Sequence, residues 1–259
     1  MTRHLILEGV ENFRDFGGYA TASGARLRAG RLYRSASHGR ATDADLEAIQ
    51  GLAIAVVVDL RRKHERQRDP SRRHDAFSAE VVENDDGGEA EDDSWVAHVT
   101  SSDLTAASFR DYMFRYYREA PFNPRMIDLY ARYFEVLARA DGPVLIHCAA
   151  GKDRTGILAA LTHHVTGVDR DDMMADYLAT NDPARAERRL PIVTEAIRDL
   201  TGRTPPEAAV RVAMGVEAAY LETAFAAMTE QCGGIDDYLR GTLGLDEARR
   251  RAVAAQLTE

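Results

Sequence analysis

The chain has 259 residues, of which 45% are hydrophobic and 29% are charged, a composition typical of a folded globular protein rather than a disordered one. Its formal net charge of −9 argues against a general nucleic-acid or anionic-membrane surface. The two cysteines, Cys148 and Cys232, are too few for a disulfide framework, and the first residues contain no apolar stretch of signal-peptide length. We therefore expect a cytoplasmic protein that binds no nucleic acid and has no stable membrane anchor.

Three short segments are predicted to be strands. Residues 31–35 and 54–60 are the first two, and the second is a continuous β-branched run, as expected of a buried parallel strand. A helix is predicted between them over residues 42–50, because it begins with the capping residue Thr42 and has apolar positions at helical spacing. Residues 143–147 form the third strand. This order predicts an α/β fold with a central, mostly parallel sheet flanked by helices.

Residues 80–123 are predicted to be a variable insertion. Residues 80–93 carry eight acidic residues, two glycines and no basic residue, so we expect a solvated loop there. Residues 108–118 are amphipathic and aromatic, which favours packing against other helices over contact with a substrate. An insertion of this kind could still act as a lid over a neighbouring site.

Most of the remaining chain is predicted to be helical. One helix is expected over residues 124–140, and the C-terminal part is expected to form helices over residues 155–166, 170–179, 182–200, 206–229 and 246–257. The sequence shows no internal repeat and no low-complexity linker. We therefore predict a single domain over residues 1–259.

The segment with the clearest chemistry is His147-Cys-Ala-Ala-Gly-Lys-Asp-Arg-Thr-Gly156, which lies between the third strand and an apolar helix. A cysteine at such a junction lies where backbone N–H groups converge, and their field favours both a bound anion and a thiolate. Arg154 follows Cys148 after five residues, and its planar guanidinium can bind two oxygens of one phosphate group. Gly151 permits a tight loop, and Thr155 can cap the helix and place a hydroxyl near the sulfur. The pattern predicts a nucleophilic cysteine in an anion-binding loop.

This His-Cys-x5-Arg-Thr pattern resembles the signature of the protein tyrosine phosphatase superfamily. Its Gly-Lys-Asp-Arg loop is similar to that of the bacterial tyrosine/serine phosphatases, some of which also accept phosphoinositides. Other stretches that resemble this subfamily are residues 12–18, 30–35, 59–61, 176–178 and 238–244. The resemblance implies a tyrosine phosphatase-like α/β fold. It also implies a metal-independent hydrolase that removes phosphate from phosphotyrosine, phosphoserine/threonine or phosphoinositide through a phosphocysteine intermediate.

The same resemblance implies a role for each residue of the loop. Cys148 would attack phosphorus, while Arg154 and the loop amides would hold the equatorial phosphate oxygens. His147 would orient the loop and help to keep the thiolate, and Thr155 would assist its release. Lys152, one of only two lysines in the chain, would add positive charge beside the phosphate. The amides belong to Ala149, Ala150, Gly151, Lys152, Asp153 and Arg154.

Two carboxyl groups are candidates for the general acid that protonates the leaving group. Asp153 lies inside the loop, and its fixed position beside Arg154 favours it. Asp59 ends an apolar strand, and strand ends in parallel sheets point toward the ligand crevice. The alternative interpretation of Asp59 is a structural salt bridge to Arg61 or Arg62.

The identity of the substrate stays open between a phosphorylated protein, a phosphoinositide and a small phosphate ester. A small-metabolite phosphatase with the same mechanism is therefore the alternative function. A rhodanese-like sulfurtransferase also holds a cysteine in an anion-binding loop, but Arg154 and Thr155 at these positions favour phosphate chemistry. No spaced cluster of His, Cys and Asp residues suggests a metal site, and no cofactor is expected.

Overall fold

A computed structural model of the chain describes residues 4–85, 94–139 and 141–259. The strands in these ranges are β1 Arg14–Asp15, β2 Leu32–Ser35, β3 Val56–Asp59, β4 Glu80–Val82 and β5 Val144–His147. They form one sheet in the order β1-β2-β5-β3-β4, in which β1 pairs antiparallel with β2 and the other neighbours are parallel. The predicted α/β fold with a mostly parallel sheet is confirmed, as are the three predicted strands.

The prediction of a solvated loop over residues 80–93 is wrong at its start. Residues 80–82 form the edge strand β4, which pairs in parallel with β3. The prediction rested on the acidic composition of the whole segment and gave no weight to its two adjacent valines. Val82 is buried in the core, while Val81 is exposed at the edge. Residues 86–93 lie outside the described residues.

Helices cover both faces of the sheet. In chain order they are α1 Asp43–Gln50, α2 Lys63–Arg68, α3 Ser94–Ser101, α4 Ala106–Glu119, α5 Pro124–Arg139, α6 Asp153–Thr166, α7 Arg170–Leu178, α8 Pro183–Thr201, α9 Glu207–Met214, α10 Ala218–Cys232, α11 Ile235–Asp237 and α12 Glu247–Leu257. Among the helices of the described ranges, none combines the length and the apolar character needed to cross a membrane. The predicted helices are confirmed, with one exception.

The prediction of a continuous helix over residues 206–229 is wrong, because α9 and α10 are separate helices. Gly215 is extended, with φ −86° and ψ −177°, and ends α9. The side chain of Asn181 then binds both backbone groups of Val216, with its Nδ2 2.8 Å from the carbonyl oxygen and its Oδ1 2.9 Å from the amide nitrogen. These two bonds replace the helical hydrogen bonds at the break.

The apolar side chains of the central strands alternate between two cores. Val56 and Val58 of β3 point into the larger core, which α5, α6, α10 and α12 cover, whereas Val57 points into a smaller core beneath α1. The helices α3 and α4 pack with α8 and α9 around a third cluster that includes Val99 and Phe109. The described part of the insertion is therefore joined to the C-terminal helices.

Candidate active site

The loop from Cys148 to Lys152 connects β5 to α6 at the carboxyl end of the sheet. His147, the last residue of β5, is in register with Ser35 at the end of β2 and with Asp59 at the end of β3. Cys148 follows directly and is only 2% exposed. The predicted nucleophile thus lies where three parallel strands end and α6 begins, and the N-terminus of that helix favours an anion.

In this loop, backbone carbonyl groups accept hydrogen bonds from the rest of the protein, whereas the amide groups have no acceptor among the described residues. Within the described ranges, no amide N–H from Ala149 to Arg154 donates a hydrogen bond to another residue. Consecutive unpaired N–H groups that lead into the N-terminus of a helix form a concave set of donors, which indicates a site for an anion. Three consecutive carbonyls, by contrast, accept bonds from the scaffold: Ala149 from Ser37 N at 3.1 Å, Ala150 from Arg185 Nη2 at 3.4 Å, and Gly151 from Asn12 Nδ2 at 2.7 Å and Arg34 Nη2 at 3.1 Å.

A buried group of three charged residues on β1, β2 and α7 supports the loop, and we call Arg14, Arg34 and Asp176 the anchor cluster. Arg34 Nη1 lies 2.6 Å from Asp176 Oδ2, and Arg14 Nε lies 3.0 Å from Asp176 Oδ1. Burial raises the pKa of a carboxyl group, but the two arginines hold the pKa of Asp176 well below its usual range. Gly151, to which Arg34 donates, has φ +65° and approaches β2 so closely that a Cβ would lie 2.4 Å from the carbonyl oxygen of Ser35. Only glycine fits at this position.

None of the three residues of the anchor cluster is among the candidate site residues, although the sequence leaves an active-site role for Arg14 open and favours structural pairing for Arg34. Each of them nevertheless lies in one of the stretches that resemble the phosphatase subfamily, at residues 12–18, 30–35 and 176–178. The structure brings these distant stretches together beneath the loop. Their shared resemblance is the sequence signal that could have identified the cluster.

Arg154 is held in place by Glu65 of α2. Its Nη1 and Nη2 lie 2.5 Å from Oε2 and 2.8 Å from Oε1 of Glu65, and Nη1 also donates to the carbonyl oxygen of Leu60 at 3.1 Å. Burial opposes ionisation of Glu65, but the charge of Arg154 lowers the pKa of that carboxyl to about 2. Glu65 was not predicted as a site residue. The sequence feature that could have identified Glu65 is that it is the single acidic residue in the basic run over residues 61–68.

Asp59 does not offer a free carboxyl group to the loop. Its Oδ1 lies 3.0 Å from Arg61 Nε and its Oδ2 lies 2.7 Å from Arg61 Nη2, and both side chains are buried. Burial alone would raise the pKa of Asp59, but the neighbouring His147 and Arg61 hold it well below its usual range. A general acid must carry a proton near neutral pH, so this ion pair argues against Asp59 as the proton donor.

His147 is buried between Asp59 and His38. Its Nε2 lies 3.6 Å from Asp59 Oδ2, and its ring centroid lies 5.1 Å from that of His38. Burial lowers the pKa of His147 to about 4, so the imidazole is neutral at pH 7. His147 therefore does not supply a positive charge that would help to keep the Cys148 thiolate, and its expected orienting role rests on packing.

Asp153, the other candidate acid, is fixed by a chain of two tyrosines. Tyr117 Oη of α4 donates to Asp153 Oδ1 at 2.9 Å, and Tyr177 Oη of α7 donates to Tyr117 Oη at 2.7 Å. The side chain of Asp153 is 18% exposed, so one carboxyl oxygen can still be reached. The insertion thus contributes a contact to the site through Tyr117, which sequence reasoning assigned to packing.

Lys152 does not project freely beside the loop, as the resemblance implied. Its Nζ donates to the carbonyl oxygens of Ala213 at 2.6 Å and Gly215 at 3.2 Å, at the C-terminal end of α9. Burial lowers the pKa of Lys152, whereas Asp153, whose Oδ2 lies 3.6 Å away, opposes that shift. The exposed carbonyls of a helix end attract a cation, which explains why the head group lies there.

Thr155 does not cap α6, contrary to expectation. The N-cap position belongs to Lys152, and Thr155 is the third residue of the helix. Its Oγ1 is buried and has no hydrogen-bond partner in the part of the chain that the structure describes. An unpaired buried hydroxyl costs about 1–3 kcal/mol, and such groups are retained mainly where function needs them.

Arg154 also lines a cleft of about 580 Å3, which we call the Arg154 cleft. Its walls come from the end of α4, the turn that follows it and the start of α5. The charged and aromatic side chains that line it are Arg62, Arg118, Arg125, Arg154, Glu119, Tyr116 and Phe122. The excess of arginine favours an anionic substrate. Within the described residues, no group of three or more His, Cys, Asp or Glu side chains is placed to hold a metal ion.

Comparisons with known proteins identify relatives of this chain. A sequence model described as the tyrosine phosphatase family matches residues 5–259. The chain is 33% identical over 253 residues to a Cupriavidus necator protein with tyrosine-protein phosphatase in its name, covering 96% of this chain and 88% of that protein. It is 33% identical over 267 residues to the triple specificity protein phosphatase PtpB of Mycobacterium tuberculosis, covering 93% of this chain and 94% of PtpB. The crystal structure of P. aeruginosa TpbA covers 76% of this chain and 96% of TpbA at 19% identity, with a TM-score of 0.32.

Proposed function

This chain belongs to the tyrosine phosphatase family, and we propose that it hydrolyses phosphate monoesters through a phosphocysteine intermediate on Cys148. The observation that carries the proposal is the loop that begins at Cys148, in which the amides from Ala149 to Arg154 have no acceptor among the described residues. Together with the guanidinium of Arg154 they offer a set of donors that suits the oxygens of a phosphate group. A neutral substrate would leave most of these donors unsatisfied.

The reaction would proceed in two displacement steps. The Cys148 thiolate forms a bond to phosphorus while the bond from phosphorus to the leaving oxygen breaks, and Asp153 transfers its proton to that oxygen. A water molecule then attacks the phosphocysteine, gives a proton to Asp153, and releases inorganic phosphate and the thiolate. Arg154 and the loop amides stabilise the charge on the equatorial oxygens in both steps. The unpaired Oγ1 of Thr155 would donate a hydrogen bond to the departing thiolate.

Asp153 rather than Asp59 is our proposed general acid. Arg61 binds both carboxyl oxygens of Asp59 at 2.7–3.0 Å, whereas Asp153 has one oxygen bound by Tyr117, the other 3.6 Å from Lys152 Nζ, and a partly exposed side chain. The bond from Tyr117 fixes the orientation of the carboxyl group, and a fixed proton donor transfers its proton more efficiently than a mobile one.

We propose a phosphotyrosine peptide as the preferred substrate, with phosphoserine/threonine and phosphoinositides as further ones. Tyr116 and Phe122 give the Arg154 cleft apolar surface for a phenyl ring, and Arg62 and Arg118 suit acidic groups next to it. The name of the Mycobacterium tuberculosis relative, a triple specificity protein phosphatase, supports more than one class of substrate. Thiolate chemistry also suits a reducing compartment, so we propose that the protein works in the cytoplasm.

The test is phosphate release from a phosphotyrosine peptide and from a panel of phosphoserine peptides, phosphoinositides, sugar phosphates and nucleoside phosphates. The assays contain a metal chelator, and Cys148→Ser protein is the blank. We expect the phosphotyrosine peptide to exceed the small esters by about tenfold or more in kcat/KM. A small ester that wins by this margin would assign the enzyme to metabolism, while strict dependence on a divalent metal would overturn the mechanism.

A further inference from the structure

A second cavity lies beside α1, on the opposite side of the sheet from the large core. It has a volume of about 390 Å3, within the range of about 300–1,000 Å3 that small-molecule sites occupy. The strands β3 and β5 form its floor, α1 forms one wall, and the segment over residues 72–79 forms another. Its apolar lining consists mainly of Leu46, Ile49, Ile54, Val57, Phe77 and Leu145. It shares no lining residue with the Arg154 cleft, and we call it the Arg73 cavity.

Arg73 is the charged group of this cavity that lacks a carboxylate partner among the described residues. Its Nη1 lies 3.4 Å from Nδ1 of His38, and its guanidinium carbon lies 5.0 Å from the ring centroid of Phe77. The two other basic residues at the rim are already paired. Arg72 binds Asp43 Oδ1 at 2.6 Å, and His74 Nε2 lies 3.0 Å from Glu47 Oε1.

The carboxylates that act on Arg73 from a distance are committed elsewhere. Asp59 is bound by Arg61, and Glu83 lies 3.4 Å from Nε of Arg66. Burial lowers the pKa of Arg73, and these two carboxylates oppose that shift without forming an ion pair with it. Arg73 thus remains a half-buried cation with several unused donors, next to an apolar cavity.

We propose that the Arg73 cavity binds a small organic carboxylate with an apolar body. The carboxylate would accept two parallel hydrogen bonds from the guanidinium of Arg73, which is the pairing that an unpartnered arginine fork favours. The body of the ligand would lie against Leu46, Ile49 and Phe77, where burial of apolar surface is favourable. An inorganic anion would satisfy the guanidinium but would leave this apolar wall unfilled, so the chemistry of the cavity favours the organic acid.

His38 joins the cavity to the catalytic loop. Its Nε2 lies 2.9 Å from Oγ of Ser35, and its ring lies 5.1 Å from the ring of His147, the residue before Cys148. A carboxylate bound to Arg73 would therefore change the surroundings of His38 directly. The imidazole signals of His38 in an NMR spectrum report on occupancy of the cavity.

The experiment uses 4-phenylbutyrate as the probe, with 4-phenylbutanamide as its uncharged counterpart. Binding to the full chain is measured by titration calorimetry and by the shift of the His38 imidazole signals, with inorganic phosphate at a saturating concentration to occupy the catalytic loop. We expect 4-phenylbutyrate to bind with a Kd of about 1 mM or tighter and the amide to bind at least about tenfold more weakly. Arg73→Gln is expected to weaken 4-phenylbutyrate binding about tenfold or more.

Arg72→Gln is the matched control, because Arg72 lines the same cavity but is already paired, and we expect it to change the Kd less than about twofold. Ile49→Trp, which fills the cavity from α1, is expected to abolish binding without relying on a charge. Circular dichroism checks that each variant is folded. Equal binding to Arg73→Gln and unmodified protein, or no measurable binding with phosphate present, would each overturn the proposal.

Discussion

The two sides of the catalytic loop differ in how completely their polar groups are paired. On the side that faces β2, the carbonyls of residues 149–151 accept bonds from the scaffold, and the carboxylate of Asp176 lies between two arginines. On the other side, the amides from Ala149 to Arg154 and the hydroxyl of Thr155 have no protein partner in the described ranges. The unpaired groups are those that a phosphate and a thiolate would satisfy.

This difference shows how a fold can hold unsatisfied donors in place. The unpaired amides and the buried Thr155 hydroxyl would form hydrogen bonds with other acceptors if the loop could rearrange, so another interaction must hold the loop open. The anchor cluster supplies that interaction, because Arg34 binds both Asp176 and the carbonyl oxygen of Gly151. A support held by buried ion pairs is therefore the condition for an unpaired binding surface.

Cys148→Ser is expected to give the largest effect, because it removes the nucleophile on the unpaired side of the loop. We expect kcat to fall about 10⁴-fold or more. The free energy of unfolding should change by less than about 1 kcal/mol, because a serine hydroxyl is nearly isosteric with the thiol and the anchor cluster is untouched. Phosphate release and urea unfolding measure the two quantities. Full activity of the variant would contradict the assignment of Cys148.

Asp176→Asn tests the paired side, because it leaves Arg14 and Arg34 buried without a carboxylate. Removing one partner from a buried ion pair costs about 3–5 kcal/mol, and we expect a loss of that size in the free energy of unfolding. Asp171→Asn is the control, since Asp171 is exposed in the first turn of the same helix. Urea unfolding curves of both variants and of the unmodified protein measure this loss. Two variants with equal midpoints would show that the cluster is not what holds the loop.

Asp153→Asn separates the proposed general acid from the groups that bind phosphate. We expect kcat for a phosphotyrosine peptide to fall about 10²–10³-fold, because the phenolate would leave without a proton. A substrate such as 2,4-dinitrophenyl phosphate, whose leaving group needs no proton, should lose less than about tenfold. The ratio of the two losses is the measurement. An equal loss for both substrates would show that Asp153 acts through binding or loop structure instead.

The sheet and the residues of the loop could be predicted because their signals are local. The buried strand β3 is a run of three valines, and Cys148 and Arg154 lie in one short segment whose spacing already indicates an anion site. Such features depend on neighbours along the chain, so a short stretch of sequence is enough to predict them.

The contacts that position these residues could not be predicted in the same way, because they join distant parts of the chain. Glu65 and Arg154 are 89 positions apart, and Arg34 and Asp176 are 142 positions apart. The charge of His147 depends on its burial beside His38, which the sequence does not show. Lys152 is drawn to the end of α9 only because residue 215 breaks the helix expected over residues 206–229.

The smallest expected effect concerns Glu65, the carboxylate partner of Arg154 on the unpaired side of the loop. The pKa of Glu65 is lowered from 4.5 to about 2, so its pair with Arg154 contributes stability that is fully present above pH 4.5 and is lost as the pH falls from 4.5 to 2. Over this window we expect the free energy of unfolding to fall by about 2–3 kcal/mol more in the unmodified protein than in Glu65→Gln. Urea unfolding at a series of pH values gives both curves.

Other carboxylates with lowered pKa values, such as Asp176, titrate in both proteins, so the difference between the curves belongs to Glu65. Glu119→Gln is the control, because Glu119 lines the same cleft and is exposed. At pH 7 the Glu65→Gln variant should lose about tenfold in kcat/KM, since Arg154 would no longer be held in one orientation. Parallel curves with unchanged kcat/KM would mean that the loop amides alone position the phosphate, and that the guanidinium needs no support from α2.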